Sequence, residues 1–543
     1  MRRFRLMLLL GLVGWSFPLA SGAEVTRVFL FAGQSNMEGA DSRAADIEHF
    51  PPFAGLEKPQ KRVRFSYLTG REGQHASDGW ESLAPISGMV GPELSFARKV
   101  SARVDAPIAI IKCAAGGTHL GGDWNPDEPS GFEMYPRLLA HVRASLDALR
   151  KKRVEFRLEG FVWHQGENDM FEETYQAEYG PNLANFLASW RRDLGVPDLR
   201  FYVGELCTKT IWGMDLRPSM YAISLGQKEV AAADPLVDYV PTSHVGVEIG
   251  DPVGLHYHYG TLGQLQHGEQ YADAYLRNLG LADEPRAPLE RWPYRARSAV
   301  RLFVFAGHRN MEGERAFVAE LKGRARNLTK DDPSVAFRYS LGGGVRASDG
   351  WEPLGATGFS ETFGPELSFV DAVREKVKTP IAVAKFTHGG SQIIDWTPAG
   401  SEAESRHLYP AFIEFVRTSI AQLEERGHEV DVDVLYHLGE NDTSFHPYRK
   451  GAAARLGALI ERSRADLGRP ELRWFVSQQP PTDHESVNGV DVVADVAALA
   501  AADARTFHVK VFDLPEQRRR IVLDAKGVIR IGERLARAVL GRR

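Results

Sequence analysis

The chain has 543 residues, too long for a single hydrophobic core, so two or three domains are expected. Hydrophobic content of 43% and charged content of 25% belong to an ordinary globular protein, and a formal charge of −5 gives no electrostatic basis for binding nucleic acid or an anionic membrane. Cys113 and Cys207 are too few for a disulfide framework, and no Cys/His cluster has zinc-ligand spacing, so no metal or other cofactor is expected.

At the N-terminus, Arg2, Arg3 and Arg5 precede an apolar run from Leu6 to Val13, and Ser21-Gly22-Ala23 supplies small residues before Glu24. That pattern is a cleavable signal peptide over residues 1–23 and implies a secreted or periplasmic protein. Export permits a bridge between Cys113 and Cys207 but does not require one, and both also fit as buried thiols. No later apolar run approaches the roughly 20 residues that span a bilayer.

Val25–Phe31 is a strand candidate that ends in an apolar run, and the chain then breaks at Gly33 with Ser35 two residues beyond, as a buried strand feeding a turn does. Further strands are predicted at 108–112, 160–163 and 201–204, and helices at 92–104, 138–149 and 181–193. Strands alternating with helices imply a mainly parallel sheet covered on both faces, with ligands beyond the carboxyl ends of the strands. Ser35, Gly116-Gly117 and His164-Gln165-Gly166 each follow such an end, so three loops should converge.

The chain then repeats itself. Phe31-Ala32-Gly33-Gln34-Ser35-Asn36-Met37-Glu38-Gly39 returns as Phe305-Ala306-Gly307-His308-Arg309-Asn310-Met311-Glu312-Gly313. Ser77-Asp78-Gly79-Trp80-Glu81 returns at 348–352, Gly91-Pro92-Glu93-Leu94-Ser95-Phe96 at 364–369, and Gly166-Glu167-Asn168-Asp169 at 439–442. A constant order at this spacing is a duplicated domain. Residues 24–284 form the first copy, 297–543 the second, and the Pro-rich, charged stretch 285–296 reads as a linker.

Ester hydrolysis needs a nucleophile, a base and donors for the oxyanion. Ser35 offers the first. Gly117 and Gln165 offer donors, and His256 and His258 offer a base just before a helical stretch. In this combination the chain resembles the SGNH-hydrolase superfamily, specifically its sialate O-acetylesterase / acetylxylan esterase group. The resemblance rests on Gly33-Gln34-Ser35-Asn36-Met37, Gly116-Gly117, the Trp163-x-Gln165-Gly166-Glu167 segment and the loop at 256–268. It implies two flavodoxin-like three-layer domains and a metal-independent serine esterase acting on acetylated glycans. It makes Ser35 the nucleophile, with its own N–H, Gly117 and Gln165 in the oxyanion hole and Gly116 as the alternative if the register shifts by one. His258 becomes the base, with Gln34, Trp163 and His256 as substrate contacts. The family's aspartate three residues before the histidine is Leu255 here. Asp251 replaces it, Glu248 is a further acid nearby, or the enzyme works as a Ser-His dyad.

In the second copy Arg309 stands opposite Ser35, Leu438 opposite Gln165 and Val522 opposite His258. Residues lost together are those that act together, so an inactive second domain is expected, while the retained Glu167 and Asp169 belong to the fold. Trp80 and Trp124, matched by Trp351 and Trp396, fit the scaffold as well as they fit a sugar platform. Two other readings fit the same motifs: a non-catalytic carbohydrate-binding protein, and a general lipase or arylesterase of the superfamily.

Overall fold

The computed structural model describes residues 24–206, 208, 210–211, 214–245, 258–400, 407–444, 449–481, 491–514 and 522–541. Six strands form the main sheet of the first half: β1 (Thr26–Gly33), β2 (Gln60–Thr69), β3 (Ile108–Ala114), β4 (Phe156–His164), β5 (Phe201–Gly204) and β6 (Val237–Val240). They pair in parallel in the order β6-β5-β4-β1-β3-β2, with short antiparallel strands at 75–76 and 81–83 attached to β2. Setting aside β2, inserted at an edge, the order is the doubly wound 2-1-3-4-5, whose strand order reverses beside β1. Helices α1 (Ser35–Glu38), α2 (Glu93–Arg103), α3 (Met134–Lys151), α4 (Tyr179–Leu194), α5 (Arg217–Ala233) and α6 (Gly260–Asn278) provide the connections and the outer layers.

The second half repeats this arrangement. Its strands are β7 (Ala299–Gly307), β8 (Asp332–Leu341), β9 (Ile381–Thr387), β10 (Glu429–His437), β11 (Arg473–Gln478) and β12 (Thr506–Lys510), ordered β12-β11-β10-β7-β9-β8. Helices α7 (Arg309–Glu312), α8 (Glu366–Val373), α9 (Leu408–Glu425), α10 (Ala452–Asp466), α11 (Val492–Ala502) and α12 (Ala525–Leu540) accompany them. Each sheet has an apolar cluster on both faces, as parallel sheets require.

The shared motifs are scaffold. Lys112 Nζ lies 2.8 Å from both Glu93 carboxylate oxygens with neither side chain exposed, and Lys385 Nζ, equally buried, lies 3.0 Å from Glu366 Oε1. Such a buried pair survives because removing one member strands the other charge. A Cβ on Gly268 would stand 2.0 Å from the Pro92 carbonyl oxygen, and one on Gly532 would stand 2.3 Å from that of Pro365. These glycines let α6 and α12 lie directly on the start of the Gly-Pro-Glu helices. The stretch between the halves is not a loose tether: Arg286 bonds Glu352, Trp292 donates to His428, and Tyr294 reaches the Ile381 carbonyl.

Candidate active site

β1 ends at Gly33, where φ is +150° and a Cβ would meet the His164 carbonyl oxygen at 1.9 Å, so only glycine fits. The chain turns there and Ser35 opens α1, with 9% of its surface exposed. Gly39 ends α1 in the left-handed region, and Asp41 follows at φ +59°, a conformation Asp accepts more readily than most residues. From this position Asp41 Oδ2 lies 2.7 Å from His258 Nδ1. The bond fixes the tautomer, with Nδ1–H toward Asp41 and Nε2 left as the basic nitrogen.

His258 sits directly before α6, and the loop that carries it is tied to the serine turn. Asn36 Oδ1 accepts the Tyr259 N–H at 3.2 Å, and the Asn36 carbonyl accepts Gln264 Nε2 at 2.9 Å. The second half builds the same tie, with Asn310 Oδ1 accepting the Leu523 N–H at 2.8 Å, so Val522 occupies the place of His258.

Ser35, His258, Arg71, Gly116, Gly117 and Asn168 line one cleft of about 450 Å³ beyond the carboxyl ends of β1, β3 and β4. Gly116 N–H donates to Glu38 Oε2 at 3.1 Å, which commits that amide and leaves Gly117 as the glycine of the pair that faces the cleft with its N–H uncommitted to Glu38. Burial pushes the Glu38 carboxyl up, against the pull of the Gly116 amide and Lys112. Arg71 Nε donates to the Gly116 carbonyl at 2.7 Å while its guanidinium lies over the Phe132 ring. Gly117 has φ +70°, and a Cβ there would collide with Arg71 at 1.8 Å.

Gln165 lies beneath the cleft. It is wholly buried, its Nε2 donates to the Thr118 carbonyl at 2.9 Å and to the Asp169 carboxylate, and it is absent from the cleft lining. Gln34 borders the cleft, but its Oε1 accepts the N–H groups of Gly166 at 3.1 Å and Asn168 at 3.4 Å, holding the loop after β4. Trp163 does not reach the cleft. It is wholly buried, edge-on to Trp124 at 5.2 Å and against Phe186 at 4.4 Å, because its side chain leaves β4 on the core face. Trp124 and Trp80 likewise donate inward, to Thr118 Oγ1 and the Ser145 carbonyl.

The retained acids bind the scaffold. Asp169 accepts the Leu120 N–H at 3.1 Å and the Gly121 N–H at 3.4 Å, and burial pushes it up to about 6. Burial also acts to raise Glu167, but His164 and the Asn36 amide outweigh it and hold the carboxyl below its ordinary range. Cys113 is a free buried thiol pushed up to about 12, which makes it a poor nucleophile. Asp251, His256, Glu248, Leu255 and Cys207 lie outside the described residues. No group of three or more His, Cys, Asp or Glu among the described residues is disposed to hold a metal ion, and no described helix is long and apolar enough to cross a membrane.

Asn168 escaped the sequence reading because the second copy keeps it as Asn441, and Asp41 and Arg71 escaped as well. For these last two the signal was available in the duplication: two residues past Gly313 stands Arg315 opposite Asp41, and Gly343 stands opposite Arg71. Both positions change along with Ser35 and His258.

A family model described as "Carbohydrate esterase, sialic acid-specific acetylesterase" matches residues 25–277 and again 299–541. The chain belongs to this family. The tandem matches coincide with the two sheets, and the family consists of carbohydrate acetylesterases, hydrolases of carboxylic esters. A search of curated proteins gave no match. Among solved structures, a protein from Arabidopsis thaliana is 22% identical, with 47% of this chain and 99% of that one covered and a TM-score of 0.36. NanS is 16% identical over 48% of this chain and 98% of its own, with a TM-score of 0.36. A carbohydrate acetylesterase from Xanthomonas citri is 17% identical over 46% of this chain and 56% of its own, with a TM-score of 0.32.

Proposed function

We propose that the first half of this family member is a serine esterase that removes O-acetyl groups from carbohydrate through an acyl-enzyme. The observation that carries this reading is the 2.7 Å bond between His258 Nδ1 and Asp41, with His258 and Ser35 on the same cleft. His258 Nε2 takes the proton of Ser35 Oγ as that oxygen attacks the acetyl carbon. The oxyanion forms against the N–H groups of Ser35 and Gly117 and the side-chain amide of Asn168. Asn168, which lines the cleft and has its Nδ2 3.3 Å from His119 Nε2, takes with its second amide N–H the donor role expected of Gln165, whose amide is spent on Thr118 and Asp169. The tetrahedral adduct expels the sugar alkoxide, which leaves with the proton from His258. Water, deprotonated by His258, then attacks acetyl-Ser35 and releases acetate.

Asp41 orients the imidazole and stabilises its cationic form, so neither Asp251 nor a bare dyad is needed. Arg71, fixed on the Gly116 carbonyl at the cleft wall, together with His75 suits an acidic acetylated sugar such as a sialate. The N-terminal pattern at residues 1–23 supports action outside the cytoplasm. The test is acetate release from O-acetylated sialic acid and acetylated xylan by wild-type and Ser35→Ala protein, with fluorophosphonate labelling of Ser35. Undiminished turnover by Ser35→Ala would overturn the proposal. Saturable glycan binding without labelling or turnover would favour a binding protein on the same scaffold.

A further inference from the structure

The cradle that borders the cleft in the first half is filled in the second. Gly389 and Gly390, counterparts of Gly116 and Gly117, face a segment of the first half. A Cβ on Gly390 would stand 1.7 Å from the Ser243 carbonyl oxygen, and one on Gly389 would stand 2.6 Å from that of His244. The His244 ring lies on Gly342 and packs against Phe359 with centroids 4.6 Å apart, while Ser243 Oγ is 3.4 Å from His388 Nε2. Arg309, in the place of the nucleophile, is held by Glu314 through two 2.7 Å bonds. The void left beside His244 is about 10 Å³, room for one water at most. Where its twin admits a ligand, this cradle admits residues 243–244.

That segment leads to the proposed base. Glu205 fixes it from the first half, its carboxylate accepting the N–H groups of Thr242 at 3.3 Å and Ser243 at 3.1 Å. Thr242 Oγ1 is 3.1 Å from the hydroxyl of Tyr259, and Val245 and Tyr259 form a small buried apolar cluster. Tyr259 follows His258 directly and donates its N–H to Asn36, next to Ser35. A second tie holds α6, where Ser360 Oγ donates to Glu269 Oε2 at 2.6 Å. The second half therefore touches the first on both sides of the residue that carries the chemistry.

We infer that the second half is a positioning clamp: its degenerate cradle grips Ser243 and His244 and, through Val245 and Tyr259, sets His258 against Asp41 and Ser35. The inference rests on the esterase reading above. Gly390, Gly389 and Phe359 are positioning residues that touch no substrate.

Gly390 lies outside the left-handed region, so Gly390→Ala adds a methyl group against the Ser243 carbonyl without straining its own backbone. Full-length Gly390→Ala is expected to lose about 10-fold in kcat while KM stays within about 2-fold, with fluorophosphonate labelling of Ser35 slowed by a similar factor. Phe359→Ala should lose about 3-fold in the same pattern, and it carries the test if Gly390→Ala does not fold. Leu423→Ala supplies the control: Leu423 is buried at the end of α9 that leads into the start of β10, at the opposite end of the sheet from the cradle. It should lower the melting temperature and leave kcat and labelling unchanged. Unaltered kcat and labelling in Gly390→Ala and Phe359→Ala, or an equal kcat loss in Leu423→Ala, would overturn the clamp. Ser35→Ala separates the two ideas: an active Ser35→Ala removes the esterase reading, whereas an inactive one beside a fully active Gly390→Ala removes the clamp alone.

Discussion

After β1 the chain turns through Gln34, Ser35 and Asn36 onto an open cleft; after β7 it turns through His308, Arg309 and Asn310 and meets a wall. The two turns share their glycines, their short helix and the asparagine that ties them to the following loop. Among the places where the two copies differ are Ser35 against Arg309, Asp41 against Arg315, Arg71 against Gly343, Gln165 against Leu438 and His258 against Val522. Arg315 has even been turned outward, its guanidinium 4.9 Å over the Phe50 ring of the first half. A fold can thus keep its whole scaffold while the same place changes from an open cleft to a contact with its own twin. The cost of building the turn lies in glycine and asparagine positions that chemistry does not use.

The comparison can be broken most sharply at the nucleophile. Ser35→Ala should lose at least about 10³-fold in kcat, since among the described residues lining the cleft Ser35 alone carries a hydroxyl or thiol. Adding Arg309→Ser to it should restore nothing, because Val522 offers no base. That second change should also destabilise the second half by about 3 kcal/mol, as Glu314 is left buried and unpaired, which thermal unfolding would read. Next comes the acid. Asp41→Asn should lower kcat/KM by about 10–100-fold while Asp251→Asn stays within about 3-fold; the reverse order would return the role to Asp251.

A smaller effect is expected at the cleft wall. Arg71→Ala should raise KM for O-acetylated sialic acid by about 10-fold, with little change on p-nitrophenyl acetate. Equal effects on both substrates would mean that Arg71 supports the Gly116 loop and reads no charge.

The smallest effects concern two buried carboxylates, not counterparts of each other, that shift in opposite directions. Burial pushes Glu312 up to about 7, helped by Glu314 and opposed by Thr387 and Gly342. A folded value above the unfolded one means the penalty is absent below about pH 4.5 and complete above about pH 7. Glu312→Gln should therefore stabilise by about 1–3 kcal/mol at pH 8 and hardly at all at pH 5. Glu167 behaves oppositely, being held below its ordinary range. Glu167→Gln should cost stability at neutral pH, with the cost shrinking as the pH falls through the folded value. Melts of both variants at several pH values test the pair.

Much of this molecule was legible in its sequence. The parallel strands before Ser35, Gly116 and Gln165 fall where the apolar runs place them, extended by a few residues at their ends. Helix α4 begins two residues before Pro181, which sits in its first turn. β2 was not legible: Lys61, Arg62 and Arg64 on an edge strand hide its alternation, and its sheet partner β3 comes more than forty residues later. Trp163 looked available for sugar because sequence does not give the direction of a side chain at the end of a strand. Gln165 looked like a donor because sequence does not show that Thr118 and Asp169 reach its amide first.

What the sequence determined by itself is local or repeated: the glycines that let turns approach backbone, the duplication, and the residues lost together from one copy. Backbone conformation near a glycine depends on its immediate neighbours, and an internal copy compares like with like. The tertiary structure decided which carboxylate meets His258, which amide faces the cleft, and what lies in the second cradle. The Asp41–His258 bond joins residues 217 apart, and Ser243–His388 joins residues 145 apart. Such meetings are set by how the sheets and loops close in space, and a chain read residue by residue carries no distance across itself.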